Sequence, residues 1–119
     1  MVQIFRDSII MVDFGETVGS VQNGTRPAIV VQNDIGNKYS PTTIVVPITA
    51  KKKKVMPTHY ELSCDDYCCL KYNSTILAEQ IVTISKEQIF DVLGHLNKKD
   101  SNELNKILNV SINLSNLQN

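Results

Sequence analysis

Short apolar runs rich in β-branched residues recur along this chain, and polar segments containing Asn, Gly, Ser and Pro separate them. Runs of this length between turn-forming residues are typical of buried strands. The pattern predicts strands over residues 8–14, 28–32, 42–48, 59–62, 74–84 and 90–96. We expect the second and third strands, joined by a polar turn, to form the centre of the structure.

Two segments carry helical signals. Ser85 and Gln88 have the spacing of a capping box, which predicts one short helical turn. Asp100 and Glu103 have the aspartate variant of that spacing, and it predicts an amphipathic helix over about residues 100–115. The apolar face of this helix, which we expect to pack on the sheet, consists of Leu104, Ile107, Leu108, Val110, Leu114 and Leu117.

The connections differ in character. Residues 15–25 form a polar loop of 11 residues, and loops of that length are usually functional or disordered. Residues 51–57 form a basic connection that we interpret as a hairpin, and the polar segment 63–72 contains a predicted turn at Asp65–Asp66. Without a repeat or linker, residues 1–119 are predicted to form one domain. The predicted fold is α+β: a small, strongly curved antiparallel sheet built as a barrel, with a C-terminal helix.

Composition places the chain among ordinary globular proteins, with 42% apolar residues, 20% charged residues and a formal net charge of zero. A chain of 119 residues buries enough surface to fold without disulfides or metals. Residues 1–60 carry seven Lys/Arg against four Asp/Glu, whereas residues 61–119 carry five against eight. The neutral total is therefore compatible with a basic patch that attracts a polyanion.

The sequence contains no pattern for export or membrane insertion. Its first ten residues lack a long apolar core, and no stretch approaches the ~18 consecutive apolar residues of a membrane span. Cys64, Cys68 and Cys69 are odd in number and form one cluster, which argues against a disulfide framework and against a zinc site. We expect a cytoplasmic protein with reduced thiols and with neither a metal nor another cofactor.

Most familiar catalytic motifs are absent from the sequence, which has no Walker loop, HExxH, paired CxxC or Gly-x-Ser-x-Gly. Arg26, just before Pro27, presents a planar fork suited to phosphate. Thr49 follows the third strand, and Lys51–Lys54 would suit a polyanion through counterion release. Taken singly, these residues also fit structural roles as a solvated arginine, a β-branched strand end and a solvated loop tip.

Further polar candidates lie in the long loop and in the fifth predicted strand. Ser20 and Gln22 can donate hydrogen bonds from the loop. The pair Glu79–Gln80 stands in the middle of the strand, where polar side chains normally need a partner or a purpose. His59 and His95 are far apart in the sequence, and neither is paired with a nucleophile, so we assign both structural roles.

These residues belong to an ordered set of motifs that runs over nearly the whole chain. The motifs are Gly19-Ser20-x-Gln22-x-Gly24-x-Arg26-Pro27, Gln32-Asn33-Asp34-x-Gly36-Asn37, Ser40-Pro41-Thr42, Ile48-Thr49, Pro57-Thr58-His59 and Glu79-Gln80-Ile81. Each motif alone is modest, but the set with its spacing is specific. It resembles the MazF/PemK toxins of bacterial toxin–antitoxin systems, especially the MazF branch of Gram-positive bacteria.

The resemblance implies a sequence-specific endoribonuclease, an mRNA interferase that needs no metal. It also implies the MazF/PemK–CcdB toxin fold, a compact SH3-like barrel with helices that forms a homodimer. Members similar to this chain cut single-stranded RNA at short U-rich sites containing ACA, and they leave a cyclic phosphate and a free 5′-hydroxyl. A cognate antitoxin of the MazE type wraps the dimer and blocks the RNA groove.

The resemblance also implies residue roles. The catalytic arginine of the family's Arg-Pro pair corresponds to Arg26, and the catalytic threonine of its Ile-Thr pair corresponds to Thr49. The family's loop serine and strand glutamine correspond to Ser20 and Gln80, which we expect to contact RNA. With the candidates from residue chemistry, the predicted RNA-binding residues are Ser20, Gln22, Lys51, Lys52, Lys53, Lys54, Pro57 and Gln80.

The chemistry of RNA cleavage suits these residue types. Attack by the RNA's own 2′-hydroxyl needs in-line placement, stabilisation of charge on the phosphate oxygens and transfer of a proton. Arg26 can hold the developing negative charge, but a guanidinium that is always protonated is a poor base. Thr49 can donate a hydrogen bond to a phosphate oxygen.

One position departs from the family pattern. Relatives commonly have Gly-Ser-Glu-Gln in the first loop, and here Val21 replaces the glutamate. Valine accepts no proton, so the group that takes the 2′-proton is left open. A second hypothesis is therefore a toxin-like protein that binds RNA or an antitoxin without cutting, and a third is a gyrase poison of the CcdB type. The Arg-Pro and Ile-Thr pairs favour the nuclease.

Overall fold

Seven strands form one antiparallel sheet in this structure, a computed structural model that describes residues 3–114. The strands are β1 (Ser8–Asp13), β2 (Thr25–Val30), β3 (Thr42–Thr49), β4 (His59–Leu62), β5 (Ser74–Leu77), β6 (Val82–Ser85) and β7 (Ile89–His95). The described helical elements are α1 (Asp34–Tyr39), α2 (Lys98–Ile112) and the 3₁₀ turns Ala78–Gln80 and Lys86–Gln88.

The strand order places β3 at the centre of the sheet. The strands run β4-β5-β3-β2-β1-β7, and β6 pairs with β3 on the same side as β5. The sheet is curved, but within residues 3–114 its end strands β4 and β7 do not pair with each other, so it does not close into the expected barrel. The predicted α+β class, a curved antiparallel sheet with a C-terminal helix, is confirmed.

Two apolar cores lie on opposite faces of the sheet, because successive residues of a strand point to opposite sides. On β2, Ile29 belongs to the core that α2 covers, whereas Ala28 and Val30 belong to the core on the other face. From α2, Leu104 and Ile107 enter the first core, as the predicted apolar helix face requires. The helix α2 does not cover the second face, so residues at the edge of this face can form part of a binding site.

The predicted strand positions are largely confirmed. β4 (His59–Leu62) has the predicted bounds, and β2 begins three residues earlier than predicted. As a result, Arg26 and Pro27 lie inside β2 and not before it. Pro27 has no N–H to donate, and the strand tolerates it because the pairing with β3 begins only at Ala28.

The prediction of one long fifth strand is wrong in one respect, because a 3₁₀ turn at Ala78–Gln80 divides it into β5 and β6. Both parts still pair with β3. Between the pairs Ile48–Ile76 and Val45–Val82, β3 advances three residues and the opposite segment advances six. The three extra residues form the turn, so their side chains do not alternate between the two faces of the sheet as strand residues do.

The polar segment after β2 forms α1 (Asp34–Tyr39), where the sequence predicted a turn. Asn33 caps this helix, since its side-chain oxygen accepts a hydrogen bond from the Gly36 N–H at 2.9 Å. Asn and Asp favour both turns and helix caps for the same reason, a local hydrogen bond from side chain to backbone. The composition of the segment therefore does not separate the two structures.

The second α-helix begins earlier than predicted. It runs over Lys98–Ile112, and its cap is Asn97, whose side chain accepts a hydrogen bond from the Asp100 N–H at 2.8 Å. Asp100, predicted as the cap, is buried in the first turn of the helix. Its carboxylate accepts hydrogen bonds from the hydroxyl of Tyr60 at 2.6 Å and from that of Tyr67 at 2.5 Å.

Of the remaining predictions, one is confirmed, one is wrong, and one concerns a residue outside the described part of the chain. The capping box at Ser85 and Gln88 is confirmed, with both reciprocal hydrogen bonds formed. The predicted hairpin over residues 51–57 is wrong, because β5 lies between β3 and β4. Leu117 of the predicted helix face lies outside the described residues. Neither α-helix in the described part of the chain has the length and apolar character of a membrane span.

The cysteine-containing segment contributes to the core. The predicted turn is present, with the Asp66 N–H donating to the Ser63 carbonyl at 3.1 Å. Tyr67 and Leu70 nevertheless point inwards and are buried in the core beneath α2. Although the segment is polar in composition, these two buried side chains anchor the connection between β4 and β5 to the core.

Candidate active site

Arg26 of β2 and Thr49 of β3 each lie two residues beyond the last pair of the ladder between these strands. The paired residues of this ladder are Val30–Val45, Ile29–Val46 and Ala28–Pro47. Continued by two residues, the same register sets Arg26 opposite Thr49, and strand alternation puts both on the face that carries Ala28. The two residues selected for catalysis thus share one rim of the sheet.

The side chain of Arg26 is half-buried and fixed near its base. Its Nε donates to the backbone carbonyl of Asn23 at 3.0 Å. Within residues 3–114 its two terminal amino groups have no hydrogen-bonding partner, and no carboxylate forms an ion pair with it. A guanidinium oriented in this way can offer parallel donors to two oxygens of a phosphate.

Thr49 is the last residue of β3 and is only 4% exposed. Its Oγ1 accepts a hydrogen bond from the Lys51 N–H at 3.2 Å. Because that N–H fills one acceptor position, the hydroxyl proton of Thr49 is still available for donation. Thr49 also pairs with Thr75 of β5, which pairs in turn with Glu61 of β4. A row of polar residues therefore crosses the sheet from the site to its edge.

Gln80 ties the long loop to the 3₁₀ turn. Its Oε1 accepts from the Gln22 N–H at 2.9 Å, and its Nε2 donates to the backbone carbonyl of Ser20 at 3.2 Å. At the neck of the loop, the Gly24 N–H donates to the Gly15 carbonyl at 2.9 Å, and both glycines have positive φ, +67° and +69°. A side chain would strain the backbone at either glycine. The loop is therefore held at its neck and at its tip.

A groove of about 360 Å³ opens beside this loop. Its walls include Val21 and Gln22 from the loop, Pro47 from β3, and Glu79 and Gln80 from the 3₁₀ turn. Neither Arg26 nor Thr49 lines the groove, but Pro47 lies on the same strand face as Thr49 and two residues before it. The groove therefore leads towards the Arg26–Thr49 pair.

Glu79 lines the groove and also contacts two residues at the start of β4. Its Oε1 accepts from the Thr58 hydroxyl at 2.9 Å, and its Oε2 lies 3.0 Å from Nε2 of His59. Burial alone would raise the pKa of the Glu79 carboxyl, but the hydrogen bonds from His59 and Thr58 bring it below its ordinary value. A carboxylate with a lowered pKa is a weak base but a strong acceptor for N–H groups.

The predicted RNA-binding lysines lie on the flank of this site. All four are exposed in the loop that joins β3 to β4, as is Pro57. Lys51 is tied to the site through its backbone N–H, which bonds Thr49. Lys52 and Lys53 line cavities beside β4 and not the groove. The structure thus joins Gln80 to Ser20 and Gln22, and it places Arg26 and Thr49 beyond the end of one strand ladder. The lysines and Pro57 lie outside the groove.

The sequence pattern did not indicate two features of the site, the Glu79–His59 contact and the anchoring of the loop by Gln80. The available signal was a polar pair in an otherwise apolar run, which normally needs partners. Those partners are distant along the chain: His59 is 20 residues from Glu79, and Gln22 is 58 residues from Gln80. His95 lies elsewhere, with its ring nitrogens against backbone carbonyls.

Two further observations concern proton transfer and metals. Val21 is 52% exposed and lines the groove. In the described part of the chain, no three side chains of His, Cys, Asp or Glu come together in a way that could hold a metal ion.

Comparison with known proteins places these observations in context. Residues 5–112 match the model of a family described as "PemK-like, MazF-like toxin of type II toxin-antitoxin system". Endoribonuclease EndoA of Bacillus subtilis (strain 168) is 41% identical over 110 residues, which cover 92% of this chain and 94% of that protein. Endoribonuclease MazF of Staphylococcus saprophyticus subsp. saprophyticus is 40% identical over 110 residues, which cover 92% and 91%.

A solved structure shares the fold. An endoribonuclease from Mycobacterial species, determined in complex with its cognate antitoxin, has a TM-score of 0.77 and 22% sequence identity to this chain. The match covers 93% of this chain and 96% of that one. The likeness confirms the curved antiparallel sheet with a C-terminal helix.

Proposed function

Because this chain belongs to the PemK-like, MazF-like family of endoribonuclease toxins of type II toxin–antitoxin systems, we propose that it cuts single-stranded RNA at a specific sequence without a metal ion. The observation that carries this proposal is that Arg26 and Thr49 each lie two residues beyond the Ala28–Pro47 pair, on one face of the sheet. One residue offers a guanidinium with free amino groups and the other a hydroxyl proton. These are the donors that a phosphate in its transition state needs.

In the proposed reaction, the 2′-oxygen of one nucleotide attacks the adjacent phosphorus, and the bond from phosphorus to the 5′-oxygen of the next nucleotide breaks. The products are a 2′,3′-cyclic phosphate and a 5′-hydroxyl, so the attacking oxygen loses one proton and the leaving oxygen gains one. Arg26 holds the charge that develops on the phosphate oxygens and polarises the leaving oxygen. Thr49 donates a hydrogen bond to a phosphate oxygen.

Among the described residues that line the groove, Glu79 is the one carboxylate, and Val21 accepts no proton. The oxygens of the Glu79 carboxylate already contact the Thr58 hydroxyl and the His59 ring. We therefore propose that the 2′-proton passes to solvent without a positioned side-chain base. Cleavage by this chain is then expected to be slower than cleavage by an otherwise equal protein with a glutamate at position 21.

The groove also supports the choice of substrate. Its amide and carboxylate groups, from Gln22 and Glu79, can bond the edges of bases, which only a single strand exposes because an A-form duplex hides them. The Glu79 carboxylate suits an exocyclic amine, such as those of adenine and cytosine. This is consistent with a U-rich recognition site containing ACA.

We propose that the protein acts in the cytoplasm as a homodimer under the control of an antitoxin of the MazE type. The mycobacterial neighbour is in complex with its cognate antitoxin. Val110 and Ile112 of α2 are 53% and 52% exposed, and a second copy would cover such apolar side chains. Sedimentation at micromolar concentration should show a dimer, and a monomer there would contradict this part of the proposal.

Val21 also favours one alternative, a protein that binds RNA or the antitoxin but does not cut. The test is to incubate purified protein with a long single-stranded RNA in the presence of EDTA and to map the ends. Cuts at one short sequence, with cyclic-phosphate and 5′-hydroxyl ends, are the expected result. No cutting by a folded protein that still binds RNA would establish the alternative. A gyrase-cleavage assay excludes the third hypothesis if it is negative.

A further inference from the structure

A second cavity, of about 370 Å³, lies beside the site on the side away from the groove. Its walls come from the loop after β3, from β4 and β5, and from the segment that connects those two strands. Three of the lining residues are lysines, Lys51, Lys52 and Lys71, and one is an acid, Glu61. The wall of the cavity also contains an aromatic residue, Tyr72.

The cavity is continuous with the Arg26–Thr49 pair through the polar row across the sheet. Thr75 lines the cavity and is the direct partner of Thr49 in the ladder between β3 and β5. Directly paired residues place their Cα atoms about 4.5–5.5 Å apart with side chains on the same face. Lys51 also belongs to both places, since it lines the cavity and bonds Thr49 through its N–H. An RNA strand that passes Thr49 towards β4 therefore enters this cavity.

The lining has the chemistry of a nucleotide site. Three lysines against one glutamate leave an excess of positive charge for a phosphate. Tyr72 is 66% exposed, so the face of its ring is open to a base. Stacking on an exposed aromatic ring and contact with lysines are the two interactions by which proteins hold single-stranded nucleic acid without reading its sequence.

We propose that this cavity holds one nucleotide of the RNA strand on one side of the scissile bond, with its base on Tyr72 and its phosphate among the lysines. The inference rests on the proposed cleavage of single-stranded RNA, and it adds a contact outside the groove. Tyr72 and Lys71 lie on the connection between β4 and β5, so the contact comes from an element that the groove does not use.

Binding is measured by fluorescence anisotropy with an RNA oligonucleotide that spans the mapped cut site and carries one 2′-deoxy nucleotide there to prevent cleavage. Tyr72→Ala should weaken binding by roughly 5- to 150-fold, the range for loss of one base–aromatic stack. Tyr39→Ala is the matched control, because Tyr39 is 75% exposed on α1 and lies outside the cavity. Lys71→Ala should lower the slope of log affinity against log salt by about 0.7, and Lys99→Ala should not.

Shortened oligonucleotides separate a nucleotide contact from a structural effect. The loss caused by Tyr72→Ala should disappear once the nucleotide that occupies the cavity is removed from one end. Cys64 also lines the cavity, so the oligonucleotide should protect it from iodoacetamide, while the exposed Cys68 reacts as before. An equal loss at every length, or no protection of Cys64, would overturn the inference.

The outcomes distinguish this inference from the proposed function. If the wild type binds and cuts RNA but Tyr72→Ala behaves like Tyr39→Ala, the cavity assignment fails and the nuclease stands. If the wild type neither binds nor cuts single-stranded RNA, both fail. If Tyr72→Ala weakens binding of a polyglutamate peptide but not of RNA, the cavity belongs to an acidic protein partner and the inference is wrong.

Discussion

Arg26 of β2 and Thr49 of β3 lie two residues beyond Ala28–Pro47, the last pair of the ladder between the two strands, on one face of the sheet. The guanidinium is held at Nε by the Asn23 carbonyl, and the hydroxyl oxygen is held by the Lys51 N–H. Each side chain thus uses one atom for position and keeps hydrogen-bond donors for a ligand. Under the proposed function, this arrangement would let two residues without a strong base stabilise the phosphate by placement and by hydrogen bonds to its charge.

The hydroxyl of Thr49 is expected to act directly on the phosphate. Thr49→Val keeps a β-branched side chain at this buried position and removes the donor, so the single-turnover cleavage rate should fall about 10²-fold, as for loss of one transition-state donor. Thr49→Ser keeps the hydroxyl and should retain most of the rate. The melting temperature of each variant reports its folding. Equal rates for both variants would show that the hydroxyl is not used.

Gln80 is expected to act by positioning the loop that carries Ser20 and Gln22. Gln80→Ala removes both of its hydrogen bonds to the loop backbone, so amide hydrogen exchange over residues 15–24 should accelerate and KM should rise more than kcat falls. Gln32→Ala is the matched control, because it also removes two side-chain hydrogen bonds, to Asn37 and Thr42, and lies outside both the loop and the groove. Unchanged exchange in Gln80→Ala would contradict the positioning role.

A glutamate at position 21 is expected to speed cleavage. Val21 is exposed and lines the groove, so Val21→Glu places a carboxylate there at little cost to folding, and a general base typically contributes 10²–10⁴-fold when well placed. Val18→Glu puts the same charge at an 88% exposed position of the same loop and should leave the rate unchanged. The comparison is made at pH 7 under single-turnover conditions. Equal rates for the two variants would remove the idea that this chain lacks a base.

The cluster of Asp100, Tyr60 and Tyr67 should make the fold sensitive to alkali. The hydrogen bond to Asp100 and burial raise the pKa of Tyr60 to about 12, and burial with the same carboxylate raises the pKa of Tyr67 too. Tyrosines of the unfolded chain titrate near pH ~10. The contribution of the two protonated tyrosines to the free energy of unfolding is therefore complete below that pH, and it is lost as the pH rises through about 12.

Urea denaturation across this pH range tests the cluster. Tyr67→Phe should lower the free energy of unfolding at pH 7 by about 1–3 kcal/mol, because a buried carboxylate loses a donor. The same variant should lose less stability than the wild type between pH 10 and 12. Tyr39→Phe, at an exposed position on α1, should follow the wild type at every pH. Parallel curves for Tyr67→Phe and the wild type would contradict the assignment.

Local patterns predicted the central strands β1, β2 and β3 well because most of their residues are buried. On β2 both faces are buried, with Ile29 in one core and Ala28 in the other, and the sequence records this as a continuous apolar run. The break at Ala78–Gln80 is not, since the apolar residues continue on both sides of it and the three-residue change of register depends on β3. Asn33 gave an ambiguous signal, because the same side chain starts a turn or a helix.

The sequence motifs selected the residues of the candidate site but not their geometry. Arg26 and Thr49 were selected from their motifs, whereas their placement on one face of the sheet depends on the register of two strands. The contact between Gln80 and Gln22 joins residues 58 apart in the chain, and that between Tyr60 and Asp100 joins residues 40 apart. Such contacts depend on how the sheet curves and where α2 packs, which no short sequence window records.

The most direct test of the central claim compares the wild type with Arg26→Ala and Arg26→Lys on one long single-stranded RNA in the presence of EDTA. The account predicts cuts at one short sequence for the wild type and a rate at least about 10²-fold lower for Arg26→Ala. Arg26→Lys keeps the charge without the planar fork and should also be impaired. Undiminished cutting by folded Arg26→Ala would contradict the account, because the phosphate would then be stabilised elsewhere.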